Sequence, residues 1–173
     1  MRALLIVDLQ QDFLPGGALP VPKGDEIISI INALQKNYEL VIASKDWHPI
    51  DHCSFDKDWP PHCVQGTPGA DFPKELNTEK IKATFTKGYE TTCEAYSAFK
   101  SPGLLQFLRQ AGVQELDIVG LATEFCVKAT ALDAVTNGFM TRVIAAACRG
   151  IGPNKSVFKE MEEAGISIVH IVD

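Results

Sequence analysis

The sequence has no excess of positive charge, no long apolar run and no paired cysteine spacing, and each absence removes a class of function. Sixteen lysines and arginines stand against 22 aspartates and glutamates, a net charge of −6. A chain of that sign offers no electrostatic footprint for a phosphate backbone, so nucleic acid is not an expected partner. Its apolar stretches are no longer than residues 3–7 or 143–148, well short of the ~20 residues a membrane helix requires. The N-terminal run is interrupted at once by Asp8, which does not fit a secretory signal peptide. Five cysteines, an odd number with no repeated spacing, argue for reduced thiols over a disulfide framework. Together these features predict a cytoplasmic protein with no membrane partner.

What is present is globular. With 46% apolar and 22% charged residues in a chain of 173, the composition suits one domain spanning residues 1–173, without internal repeats or a linker. Residues 3–7 (Ala-Leu-Leu-Ile-Val) form a continuous apolar run, the signature of a strand buried on both faces. Residues 25–36 carry Ile27, Ile28, Ile31 and Leu34 at helical spacing, and residues 40–43 read as a second buried strand. Further strands are expected at 81–86, 116–121, 141–146 and 166–172, with helices at 104–111, 124–137 and 155–164. This alternation predicts an α/β doubly wound, six-stranded, mainly parallel sheet of order 3-2-1-4-5-6, with helices on both faces. The aperiodic stretch from 46 to 78 is too long for a simple connection and is expected to carry function.

Ligands of such sheets sit beyond the carboxyl ends of the strands. Asp8, Asp46 with His48, Lys87 and Cys126 follow four different strands there. Cys126 has an ordinary reading as a small buried helix residue. It also reads as a nucleophile: with Thr123 as cap, it would lie in a first helical turn, where the dipole lowers a thiol pKa. Asp8 is either a turn residue or the base such a nucleophile needs. Lys87 is either a solvated cation at a strand end or the charge that anchors Asp8 and favours a thiolate. Asp46, His48, His52 and His62 suit zinc, or manganese or iron in a six-coordinate variant, unless they are surface groups. A finger-like set of His48, Cys53, His62 and Cys63 is weaker, because its cysteines are not paired in sequence. His170 is expected to be structural, and Cys53, Cys63, Cys93 and Cys148 bystanders.

Several blocks together are distinctive: Val7-Asp8-Leu9-Gln10-Gln11-Asp12-Phe13, Asp46-Trp47-His48-Pro49, Trp59-Pro60-Pro61-His62-Cys63-Val64-Gln65-Gly66, Lys87-Gly88 and Gly120-Leu121-Ala122-Thr123-Glu124-Phe125-Cys126-Val127. In this order they resemble the nicotinamidase (pyrazinamidase) branch of the isochorismatase-like cysteine hydrolases. The resemblance implies a hydrolase that converts nicotinamide to nicotinate and ammonia through a cysteine thioester, within NAD salvage. It implies a triad of Asp8, Lys87 and Cys126, and a divalent metal, zinc first, on Asp46, His48 and His62, with His52 as a further ligand in some relatives. It also implies a cis peptide at Leu121–Ala122, which helps aim the Ala122 and Cys126 N–H groups at an oxyanion, and a ring pocket bounded by Phe13, Trp59, Ala122 and Phe125. Glu124 and Phe125 stand where Asp and Tyr are common, which bears on pocket polarity. Other family hydrolases, a metallohydrolase in which Cys126 only packs, a non-catalytic metal-binding domain, and association into a homo-oligomer remain alternatives at this level.

Overall fold

The computed structural model describes residues 1–170. Six strands, β1 (Arg2–Val7), β2 (Leu40–Asp46), β3 (Ile81–Lys87), β4 (Glu115–Leu121), β5 (Met140–Arg149) and β6 (Ser167–Val169), form one sheet in the order β3-β2-β1-β4-β5-β6, as expected. Every pairing is parallel. The helices are α1 (Ile27–Leu34), α2 (Leu104–Gln110), α3 (Lys128–Thr136) and α4 (Lys155–Glu163).

Burial on both faces explains the apolar run of β1. Ala3, Leu5 and Val7 join a core that includes Leu104 and Leu108 of α2, Ala131 and Ala134 of α3 and Met161 of α4. Leu4 and Ile6 point the other way, into a core with Ile27, Ile28, Ile31 and Leu34 of α1. Successive side chains of a strand alternate between faces, so a central parallel strand must be apolar at every position. Each fully buried aliphatic side chain contributes roughly 1.5–3 kcal/mol of transfer free energy, which makes β1 the axis of the molecule.

Boundaries differ from the sequence reading in several places: the strand expected over 40–43 runs on to Asp46, and the helix expected over 124–137 becomes α-helical only at Lys128. The helix expected over 25–36 is regular only at Ile27–Leu34, with 3₁₀ turns at Gly24–Glu26 and Gln35–Asn37. β5 runs on to Arg149, past a register shift against β4 between Ile118 and Gly120. The strand expected over 166–172 is described as Ser167–Val169, and residues 171–172 lie outside the described region. Among the described residues, no helix is long and apolar enough to cross a membrane.

Candidate active site and metal centre

The parallel sheet brings its strand ends to one edge, and the polar residues collect there. Asp46 ends β2 and Lys87 ends β3, directly paired in register. Asp8 follows β1, with φ of 47° turning the chain into the left-handed region that Asp tolerates better than most residues. Lys87, fully buried at the end of β3, reaches past β2 to the residue that follows β1. Its Nζ lies 2.8 Å from Asp8 Oδ2, 2.5 Å from Asp46 Oδ1 and 3.5 Å from Cys126 Sγ, and donates to the Ala95 carbonyl at 3.0 Å. Ser44 Oγ donates to Asp8 Oδ1 at 2.7 Å. Asp8, Lys87 and Cys126 are therefore brought together, with one ammonium shared by two carboxylates and a thiol.

Electrostatics differ among the members of this group. Burial pushes the Asp8 carboxyl above its usual range, although Lys87 opposes the shift. Burial also acts upward on Asp46, but Lys87 and His48 outweigh it and hold that carboxyl below the ordinary value. Lys87 stays protonated because Asp46 and Asp8 overcome the cost of burying its charge. The lowered thiol pKa expected for Cys126 is not what the structure shows. Burial raises it well above the ordinary value against the pull of Lys87, and Asp8 and Asp46 add to the rise. The local geometry differs as well. Thr123–Val127 form a five-residue π turn ahead of α3, Ala122 O accepts from the N–H groups of Phe125 and Val127, and buried Thr123 Oγ1 caps nothing. Cys126 therefore rests as a thiol, its sulfur within 4.8 Å of the Asp8 and Asp46 carboxylates.

A second group adjoins it. Asp46, His48 and His62 each present a ligand atom within 4.8 Å of the others, all buried. The backbone fixes both imidazoles: His48 Nδ1 donates to Gly88 O at 2.6 Å and His62 Nδ1 donates to Pro60 O at 2.8 Å. This tautomer turns each Nε2 lone pair inward, toward Asp46 Oδ2 at 3.4 Å and 3.9 Å. Buried His48 Nε2 has no hydrogen-bond partner. An orphaned imidazole nitrogen, a second imidazole and a carboxylate converging on one point fit a divalent cation with N/N/O preference. Burial lowers the pKa of His62. It acts the same way on His48, where Asp46 and the Gly88 carbonyl reverse it. Asp8, Asp46 and Cys126 also cluster at ligand distance, but there the Lys87 ammonium already supplies the positive charge.

His52 stays apart from the ligand group. Its Nδ1 accepts from Ser54 Oγ at 2.8 Å and its Nε2 donates to Cys93 O at 3.2 Å, while its ring stacks on His48 at a centroid distance of 4.0 Å. His170 packs edge-on against Phe158.

A cleft opens above Cys126. Phe13, Trp59, Ala122 and Phe125, the residues that the resemblance points to, line it together with Asp46 and His62. Trp59 meets Phe125 edge-on at 5.0 Å, and its indole N–H donates to Tyr96 OH at 3.3 Å. Sequence reasoning missed Tyr96, Glu94, Leu19, Val21 and Ile151 in the lining. Glu124, read as bearing on pocket polarity, is not in the lining and instead accepts from the N–H groups of Ile151 and Gly152. Two positioning residues were also missed. Gln10 donates to Asp46 O and Ala70 O and accepts from Asp46 N; Asp12 accepts from Cys63 N next to His62. The peptide Leu121–Ala122 is cis.

Residues 2–170 match the family described as the isochorismatase domain. The chain belongs to the isochorismatase family. Within that family it is 45% identical to the nicotinamidase/pyrazinamidase of Mycobacterium tuberculosis, over 98% of each chain. It superposes on the zinc complex of pyrazinamidase from Pyrococcus horikoshii with a TM-score of 0.92 at 44% identity, covering 98% of this chain and 99% of that one. It also superposes on PnC1 of L. infantum in complex with nicotinate, with a TM-score of 0.94 at 36% identity over 98% and 92% of the two chains.

Proposed function

We propose that this isochorismatase-family protein is a nicotinamidase, hydrolysing nicotinamide to nicotinate and ammonia, with pyrazinamide as a second substrate, in the salvage of NAD. The observation that carries this reading is the placement of a buried Asp8–Lys87–Cys126 group at the floor of an aromatic cleft, beside the Asp46–His48–His62 group. The names of the relatives at 45% and 44% identity support it.

Asp8 is the base. Its raised pKa brings it nearer to that of the group it must deprotonate, and its carboxylate lies within 4.8 Å of Cys126 Sγ. As the amide carbon approaches, the proton passes to Asp8 and sulfur bonds to that carbon. The ammonium of Lys87, 3.5 Å from Sγ, offsets the negative charge on sulfur that burial otherwise opposes. The backbone N–H groups of Ala122 and Cys126 are the donors assigned to the tetrahedral oxyanion; removing one such donor typically costs ~100-fold or more in rate. Asp8 returns the proton to the leaving nitrogen, the C–N bond breaks, and ammonia departs from a thioester. A water deprotonated by Asp8 then attacks the thioester carbon, the C–S bond breaks, and nicotinate leaves as the thiol is restored. Phe13, Trp59 and Phe125 hold the ring flat between apolar walls. Asp46, His48 and His62 would hold a divalent cation, with zinc favoured by the donor set, which when bound supplies Lewis acidity at the cleft wall and an anchor for a ring nitrogen.

Ammonia release from nicotinamide is the direct test. Cys126→Ala is expected to lose turnover while retaining zinc measured by elemental analysis, and unchanged ammonia release from that variant would overturn the thioester route.

A further inference from the structure

One wall of the cleft comes from a segment that the strand-end chemistry does not explain. Between β5 and α4 the chain reaches the cleft, where Ile151 contributes to the lining. Ile151 is 41% exposed, so a large aliphatic side chain of the lining stands partly open to water. Such a side chain completes its burial only when something apolar fills the cleft. The segment around it has no regular structure to hold it in place.

Its anchor is Glu124. The N–H groups of Ile151 and Gly152 donate to Glu124 Oε1 at 2.9 Å and Oε2 at 3.2 Å, one bond to each oxygen. The backbone of Gly150 lies against the same carboxylate, where a Cβ would stand 2.6 Å from Glu124 Oε2 and 2.2 Å from Asn154 Oδ1. Glu124 itself belongs to the Thr123–Val127 turn that carries Cys126. A single turn therefore holds both the thiol at the floor of the cleft and the tie for its rim.

We infer that Glu124 is a positioning residue, whose two-oxygen grip on the Ile151 and Gly152 N–H groups fixes Ile151 as the ring-contacting wall of the pocket. The role of that wall in binding an aromatic carboxamide rests on the nicotinamidase reading above. Glu124 touches neither the reacting carbon nor the thiol, so its loss should weaken substrate binding and leave the chemical step intact.

The test is a double-mutant cycle on nicotinamide hydrolysis with Glu124→Ala, Ile151→Ala and the double variant, with Glu124→Gln in parallel and Tm and zinc content measured for each. Glu124→Ala and Ile151→Ala are each expected to raise KM by about 5–10-fold with kcat within about twofold of wild type. The double variant should be no worse than the weaker single, and Glu124→Gln, which keeps one acceptor oxygen, should fall between Glu124→Ala and wild type. An unchanged KM in Glu124→Ala, or KM effects that multiply in the double variant, would overturn the inference. If Glu124→Ala does not fold, the comparison of Glu124→Gln with Ile151→Ala decides in the same way. If the wild type releases no ammonia, the nicotinamidase reading fails on its own. The wall is then read from the rate of iodoacetamide alkylation at Cys126, followed by mass spectrometry. Severalfold faster labelling in both Glu124→Ala and Ile151→Ala supports the tie, and labelling at the wild-type rate overturns it.

Discussion

Lys87 is the residue on which the charge balance of the site depends. Its ammonium is the counter-charge for two carboxylates, all three being buried. Lys87→Met keeps most of the stem but leaves Asp8 and Asp46 facing each other without compensation, a change that typically costs about 3–5 kcal/mol. Urea unfolding is expected to register that loss, alongside a fall in turnover of at least ~100-fold if Lys87 supports Asp8 and sulfur as proposed. The raised pKa of Asp8 makes a separate prediction. The base must be ionised, so kcat/KM should fall as pH drops through a value above the ordinary 3.8 of a carboxyl. The same shift has a defined sign for stability. The contribution of Asp8 is fully present below its unfolded pKa and is lost as pH rises through the higher folded value. Cys126 behaves in the opposite sense to a thiolate stabilised by a helix dipole: its alkylation rate should still be climbing at about pH 9 instead of levelling near neutrality. A plateau below that pH would show that the thiol is activated at rest. Sequence placed Asp8, Lys87 and Cys126 correctly at the strand ends. It misjudged the thiol because a helix start is visible in residue types, whereas the burial of Cys126 between two carboxylates is a property of the assembled sheet.

At the scale of elements, strands were legible and the loop between β2 and β3 was not. A period-free apolar run gives its own burial, as residues 3–7 show, but no periodicity indicates how residues 47–80 return to the sheet edge. Their return is fixed by polar side chains elsewhere: Gln10 holds the backbone of Asp46 and of Ala70, and Asp12 holds Cys63 beside His62. Gly88 closes the other side, with φ of +69° and no room for a side chain, since a Cβ there would lie 2.5 Å from His48 Cε1. Gly88→Ala must therefore displace the His48 ring and the hydrogen bond that sets its tautomer. Zinc affinity is expected to fall by about 10–100-fold, as for other losses of the contacts that orient a metal ligand. Titration with a competing chelator measures it, and wild-type affinity would separate His48 from the metal. Tyr96, Glu94 and Ile151 went unnoticed for the same reason as the loop itself. Each lies in an irregular segment, and only the folded chain shows that these segments meet over Cys126.

Across the whole molecule the two ends of the sheet have different tasks. Near the amino ends of the strands, buried Asp117 of β4 receives Arg142 Nε at 2.7 Å and Tyr38 OH at 2.5 Å. This group lies away from the cleft residues along the strands, and none of its members lines the cleft. Arg142→Ala leaves the Asp117 carboxylate short of a partner. Because the arginine is partly exposed, the expected loss is about 2 kcal/mol, below that of a fully buried pair. In a chain of this length that is a Tm roughly 4–8 °C lower, with KM and kcat unchanged. A shift in KM would mean that the two ends of the sheet are coupled.

The pairing of β1 with β4 has a further consequence in time. Residues 2–7 find their partner only at residues 115–121, although β1 leaves the ribosome long before β4. The central strand must therefore remain without one neighbour until most of the chain has been made, and contacts of such large sequence separation form slowly. Asp8 and Cys126 lie just beyond that late seam, so no fragment ending before β4 can hold both. Recovery of hydrolysis during refolding should consequently report the closure of the sheet's centre, and lag behind the recovery of helical signal.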